Sequence, residues 1–280
     1  MGETMGMATT SRDEVSRPGG RTVEIVIPVY NEEVALPRCV ASLRQYLEAS
    51  CPYAWSMTIA NNASTDATET VAEALAAQDS RVQTVSLAEK GRGRALRTAW
   101  LDSDADILAY MDVDLSTNLD SFLPMVEPLA NDEADVAIGS RLLADARVTR
   151  SLKREAISRA YNLQLKLVFR SGFSDAQCRF KALRRDVARM LLPKVENHAW
   201  FFDTELFLLA EAKGLRLHEV PVAWVEDRDS RVRIITAVIE DLKGIWRVRA
   251  GRLHQGRSGP GSGRKVMNPA APAAARSDFE

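Results

Sequence analysis

Five short runs rich in apolar residues, each closed by a turn and followed by a helical stretch, constrain this chain most. They fall at 23–28, 55–60, 82–87, 107–111 and 134–138. Each is short for a helix, and several are rich in Val and Ile. The first has few polar breaks and fits a strand buried on both faces, as in a parallel sheet. The alternation of strand and helix predicts a mostly parallel α/β sheet with helices on both faces. Open sheets of this kind bind ligands in the crevice beyond the carboxyl ends of their strands.

The fourth run ends in two carboxylates one residue apart, Asp112 and Asp114. Strand alternation predicts that both point to the same side. The chain then breaks at 115–118, where Thr117 or Asn118 can cap a helix. Hard oxygen ligands at a strand end suit Mg²⁺ or Mn²⁺ holding a diphosphate. The spacing alone is weak, because D-x-D also occurs at Asp102/Asp104, Asp104/Asp106 and Asp227/Asp229. Only Asp112/Asp114 follows directly on a strong apolar strand. The competing reading is a strand-end turn with solvated acids.

The 280 residues allow one large α/β domain or two small ones. A formal net charge of −1 is not that of a nucleic-acid polycation, so no nucleic-acid partner is expected. The charge is uneven. Residues 99–145 hold eleven acids against Arg141 alone, and residues 228–265 hold ten Lys/Arg against three acids. Cys39, Cys51 and Cys178 form no C-x-x-C pair and read as reduced thiols of a cytoplasmic protein. No apolar run reaches the roughly 18–20 residues that span a bilayer. Any membrane contact is then expected to be peripheral, on the inner face.

Residues 150–170 have helical periodicity, with Leu152, Ala156, Ala160, Leu163 and Leu167 on one side. A last helix covers 231–253. Its apolar stripe is Val232, Ile235, Ile239, Leu242 and Trp246, widened by Ile234, Val238 and Ile245. Lys243, Arg247, Arg249 and Arg252 crowd its far end. Such a helix can lie in a membrane interface or pack on the domain with its cations at the negative end of the helix dipole.

The strand-end loops carry IPVYNEE (27–33), NNASTD (61–66), KGRGRAL (90–96), DVDLST (112–117) and IGSR (138–141). Further on come SDAQCRFKALRRD (174–186), WFFDTEL (200–206) and EVPVAWVEDRDSRV (219–232). In this order the sequence resembles family-2 inverting glycosyltransferases of the GT-A fold, a Rossmann-like α/β architecture. Within them it is most like the dolichyl- or polyprenyl-phosphate glucosyl- and mannosyltransferases. The expected organisation is a disordered arm at 1–21, a GT-A domain at 22–230, the amphipathic helix at 231–253 on the acceptor side, and a disordered tail at 254–280.

The resemblance implies roles, several of which the residue chemistry supports. Pro28, Tyr30 and Glu32 would meet base and ribose, with Tyr30 stacking and Glu32 accepting from hydroxyls. Asn61 and Asn62 stand where relatives carry at least one Asp. An Asn can pair with uracil but cannot match a carboxylate on guanine, which favours a UDP-hexose over GDP-mannose. Lys90, Gly91, Arg92 and Gly93 would approach phosphate or ribose at a helix start. Asp114 would be the metal ligand, Asp112 a ribose or second metal contact, and Val113 would line the same site. Ser116 stands where some mannose synthases have a Gln metal contact. Arg141, Arg150, Arg154, Gln177, Lys181, Trp224 and Arg231 would serve the acceptor or its phosphate. Asp203 and Glu205 would orient hydroxyls, or supply a base to an alcohol acceptor. Arg179 replaces the Gly of the usual D-x-Q-C-G-F-K, so it would fill the cleft, bind phosphate, or force the backbone off a positive φ. The implied reaction transfers a hexose, glucose from UDP-glucose by preference, to a polyprenyl phosphate with Mg²⁺ or Mn²⁺. The rival expectations are a soluble transferase acting on a small-molecule hydroxyl and a nucleotide-sugar-binding protein with decayed activity.

Overall fold

The computed structural model describes residues 20–225 and 234–254. Arg231, Val232, nearly all of the expected arm and the tail from 255 lie outside the described residues. The first half alternates as expected: β1 (Thr22–Val29), α1 (Ala35–Ser50), β2 (Ala54–Asn61), α2 (Thr68–Gln78), β3 (Val82–Ser86), α3 (Arg92–Asp102) and β4 (Ile107–Met111). Then follow α4 (Phe122–Ala130), β5 (Val136–Ser140), β6 (Arg147–Thr149), α5 (Leu152–Phe169), β7 (Phe180–Arg184) and α6 (Arg185–Leu191). The last elements are α7 (Phe202–Ala212), β8 (Leu217–Pro221), β9 (Ala223–Val225) and α8 (Ile234–His254).

Seven strands form one sheet in the order β3-β2-β1-β4-β7-β5-β8. All neighbours are parallel except β7, which runs antiparallel between β4 and β5. Central strands are apolar throughout because both faces are covered. Every residue of β4 and β5 is buried. The inversion of β7 has a functional consequence: its amino end lies at the same sheet edge as the carboxyl ends of β1, β2, β4 and β5. The segment 174–179 therefore arrives beside Asp112 and Arg141. A two-stranded sheet of β6 and β9 closes that edge, and Trp224 of β9 bridges to Thr117.

The apolar stripe of α5 faces the opposite way from what its periodicity suggests, and that of α8 is divided between the domain and solvent. On α5, Ser158, Tyr161, Asn162 and Leu165 are buried, whereas Ala156, Ala160, Leu163 and Leu167 are exposed. On α8, Asp241, Gly244 and Ile245 face the domain. A Cβ on Gly244 would collide with the Phe201 ring, so this glycine sets how closely the helix docks. Ile239, Leu242 and Trp246 point outward, Trp246 with 74% of its surface exposed. The packing residues satisfy buried polar partners that a hydrophobicity pattern cannot register: Ala176 N–H donates to Asn162 Oδ1 at 3.0 Å, and Tyr161 pairs with Thr204 at 2.8 Å.

Candidate active site

Three strand-end loops store backbone strain. After β1, β2 and β4 the chain places Asn31 (φ 56°), Ala63 (φ 56°) and Leu115 (φ 47°) in the left-handed region. Ala and Leu seldom adopt it, at a cost of about 1–3 kcal/mol each, and such strain concentrates at functional sites. The first two loops are laced together. Asn31 N–H donates to Ser64 Oγ at 3.0 Å, Thr65 N–H to Asn31 Oδ1 at 2.8 Å, and Glu32 N–H to Thr68 Oγ1 at 2.8 Å.

Asp112 and Asp114 lie in a turn beyond the last residue of β4, closed by Leu115 N–H donating to the Asp112 carbonyl at 3.2 Å. Strand alternation therefore does not govern the pair, and the two carboxylates remain close enough for Asp114 to help raise Asp112. Asp112 reaches across to Arg179, whose Nε stands 2.7 Å from its Oδ2. Burial raises the Asp112 carboxyl above its ordinary range, and Arg179 opposes that rise. Asp114 is exposed, accepts from Ser116 N–H at 2.9 Å, and borders a groove of about 620 Å³ with Glu32, Arg38, Asp66 and Val113. Asn118 caps the following turn through Oδ1, which accepts from Asp120 N–H at 3.0 Å. Among the described residues no group of three or more His, Cys, Asp or Glu gathers to hold a metal. Two carboxylates still fit Mg²⁺ or Mn²⁺, since Mg²⁺ in particular keeps waters and shares its shell with substrate phosphates.

On the nucleotide side, the Lys90 ammonium lies over the Tyr30 ring, 4.0 Å from its centroid, and hydrogen-bonds its hydroxyl. That bond lowers the Tyr30 phenol below its usual pKa. Pro28 is the seventh residue of β1 and positions this loop. Asn61 and Asn62 are turn-holding residues. Asn61 Oδ1 accepts from Ser64 N–H at 3.1 Å, and Asn62 Oδ1 accepts from Gly91 N–H at 2.7 Å. The glycines of the 90–94 loop are needed for packing. A Cβ on Gly91 would lie 2.7 Å from the His198 carbonyl oxygen, and one on Gly93 would lie 2.6 Å from Phe202.

The other side is a layer of cations interleaved with acids and two tryptophans. Arg141 grips Asp175 with both prongs, at 2.8 and 3.0 Å, and lies 5.5 Å from the Trp224 ring. Burial alone would raise Asp175, but the guanidinium overrides it and holds the carboxyl below its usual range. Arg92 is not at a phosphate-facing surface: its side chain is only 12% exposed, paired with Asp203 and stacked 4.5 Å from Trp200. Arg179 approaches the same ring at 6.0 Å. Lys181 is fully buried, 3.1 Å from Asp203 and 3.0 Å from the Ala176 carbonyl, and burial pulls its ammonium down to about 8. Tyr110 also donates to Asp203 at 3.0 Å. Asp203 is thus enclosed by three partners.

Glu205 is buried and accepts from Asn197 N–H at 2.9 Å and Arg247 at 2.8 Å, so it fastens the 195–200 loop to α8. Gln177 donates to Asp241 of α8 at 2.8 Å. Arg150 pairs with Glu155 on α5, and Arg154 on the same helix is half-buried. Position 179 has no positive φ, in keeping with an arginine in place of the glycine. Sequence reasoning passed over Trp200 as a site residue. Its signal was the Trp opening WFFDTEL, which two guanidiniums use as a stacking surface.

A family model described as Glycosyl transferase family 2 matches residues 24–192. Glycosyltransferase AglD of Haloferax volcanii is 35% identical over 84% of this chain, which spans only 38% of that relative. A dolichyl-phosphate beta-glucosyltransferase of Drosophila melanogaster is 30% identical over 80% of this chain and 74% of its own. Glucosyl-3-phosphoglycerate synthase of Mycobacterium tuberculosis, solved with Mn²⁺, UDP-glucose and phosphoglyceric acid, superposes with a TM-score of 0.61 over 85% of this chain and 86% of its own. At 20% identity that likeness speaks for the fold alone. The strained strand-end loops, the acid pair and these relatives converge, and the chain belongs to glycosyl transferase family 2 as a glycosyltransferase of the GT-A type.

Proposed function

We propose that this protein transfers glucose from UDP-glucose to a polyprenyl phosphate, with inversion and with Mg²⁺ or Mn²⁺. The observation that carries the reading is the meeting of two opposite surfaces at one sheet edge. The acid pair, Asp112 and Asp114, meets Arg179 and lies at the same edge as Arg141 and Trp224, over the enclosed Arg92 and Lys181 that pair with Asp203. Asp114 and Asp112 are the groups to hold the metal, which neutralises charge on the departing diphosphate. Tyr30, Glu32 and Val113 flank the nucleoside. In this reading Arg141 and Trp224 receive the anionic headgroup and its apolar tail.

A phosphate acceptor is already an anion and needs no base. That agrees with the state of Asp203, whose oxygens are taken by Arg92, Lys181 and Tyr110. An alcohol acceptor would need a base, and neither Asp203 nor Glu205 is disposed to act as one. The names of relatives such as the fruit-fly enzyme also support a lipid phosphate acceptor. The outward apolar residues of α8, beside exposed Lys243 and Arg249, suit peripheral contact with an anionic bilayer. No described helix is long and apolar enough to cross a membrane.

The test is a panel of UDP- and GDP-sugars offered with a short polyprenyl phosphate or its alcohol, the products being weighed by mass spectrometry. A glucosylated lipid phosphate is expected. A product only with the alcohol would replace this reading with the small-hydroxyl transferase, and none at all with any donor would favour a nucleotide-sugar-binding protein.

A further inference from the structure

The antiparallel ladder of β4 and β7 runs from Ile107 opposite Arg184 to Met111 opposite Phe180. One further step sets Asp112 opposite Arg179. Opposite charges facing each other across strands attract, and here they close to 2.7 Å. The pair is half shielded, with side-chain exposures of 30% for Arg179 and 15% for Asp112, so solvent weakens it less than an open surface pair. Trp200 braces the guanidinium from one side. The other acid, Asp114, has no cation within salt-bridge distance among the described residues.

We propose that Arg179 is a built-in counter-ion that competes with the divalent cation for Asp112, and so couples cation binding to diphosphate binding. The inference rests on the reading of Asp112 and Asp114 as the cation-holding pair. Before donor binds, Asp112 is neutralised by Arg179, and a cation would have to displace a charge-assisted bond to use it. A nucleoside diphosphate changes the balance. It brings oxygens whose geometry the guanidinium fork matches, so Arg179 gains a new anion when it leaves Asp112. Cation and diphosphate then each strengthen the other's binding, and the linkage must be reciprocal. A glycine at position 179 would leave Asp112 open to the cation whether or not nucleotide is present.

The experiment is a titration of Mn²⁺ into the full chain, with and without UDP. It is followed by calorimetry and by the electron paramagnetic resonance signal of free Mn²⁺. Wild type is compared with Arg179→Gln, Arg179→Lys and Asp114→Asn. Arg179→Gln is expected to bind Mn²⁺ alone about tenfold more tightly, the loss of one charge-assisted bond from the competing state. The factor by which UDP tightens Mn²⁺ should shrink by a similar amount. Arg179→Lys keeps the charge and should hold the affinity for Mn²⁺ without UDP near the wild-type value, which separates competition from any loss of packing. Equal Mn²⁺ affinities for wild type and Arg179→Gln, with UDP still tightening both equally, would overturn the proposal while leaving the site reading intact. If Mn²⁺ with UDP binds neither protein, or binds Asp114→Asn as well as wild type, the site reading fails and this inference with it.

Discussion

Asp114 and Asp203 are both site acids, yet their surroundings assign them different work. Asp114 is exposed at the groove and accepts only a backbone N–H among its resolved hydrogen bonds. Asp114→Asn should leave the thermal melting curve unchanged and lower turnover by about a hundredfold or more, as expected when a charge acting on the leaving group is lost. Asp203 is buried beneath Arg92, Lys181 and Tyr110. Removing its charge leaves two buried cations uncompensated, which typically costs about 3–5 kcal/mol. Asp203→Asn should therefore shift the urea midpoint strongly. Full stability with lost turnover would instead assign Asp203 to the chemistry. The identity of these residues was legible in the sequence, but their roles were not. The enclosure of Arg92 and the pairing of Asp112 with Arg179 depend on cross-strand register and on α7, whose Asp203 lies 111 residues from Arg92.

At the scale of elements, α8 docks through a polar residue. Asp241 is buried, accepts from Gln177, and lies near Tyr161, Arg92 and Glu240; burial pushes its carboxyl up to about 7. The folded chain thus keeps a proton that the unfolded chain releases near the ordinary Asp value. This group's contribution is most favourable at low pH. It declines as pH rises from about 4 to about 7, and stays low above that. Asp241→Asn should remove that part of the pH dependence, so the melting temperature of the variant should gain on wild type from pH 5 to pH 8. No difference between the two profiles would mean that Asp241 ionises freely. The outward face of α8 predicts a second result. Lys243→Glu with Arg249→Glu should reduce sedimentation with anionic liposomes at low salt, because each cation near such a surface contributes about 1 kcal/mol. Arg247 is unsuitable for this test, since Glu196 and Glu205 hold it. Periodicity located both α5 and α8 within a few residues but misassigned the packed face of α5, where tertiary polar partners outweigh the apolar stripe.

Across the whole molecule, the strands that were easiest to read are those buried on both faces, because such a position admits little but apolar residues. β1, β2, β3 and β4 appear within a few residues of their apolar runs. The insertion of β7 between β4 and β5 was not legible: the short run Phe180, Lys181, Ala182, Leu183 has the same composition whichever way it runs and whichever strand it joins. That inversion brings Arg179 to Asp112 and sets Asp175 against Arg141 at the same edge, so this side of the site depends on topology more than on motif. The proposed chemistry at this edge joins a UDP-held glucose to a lipid phosphate. The most direct measurement is the conversion of a short polyprenyl phosphate to its glucosyl ester with UDP-glucose and Mn²⁺, by wild type and Asp114→Asn in parallel. A product heavier by one hexose, with an inverted anomeric centre, formed by wild type and nearly lost in the variant is the predicted result. Equal conversion by both proteins, or glucose transferred only to hydroxyl acceptors, would contradict the account.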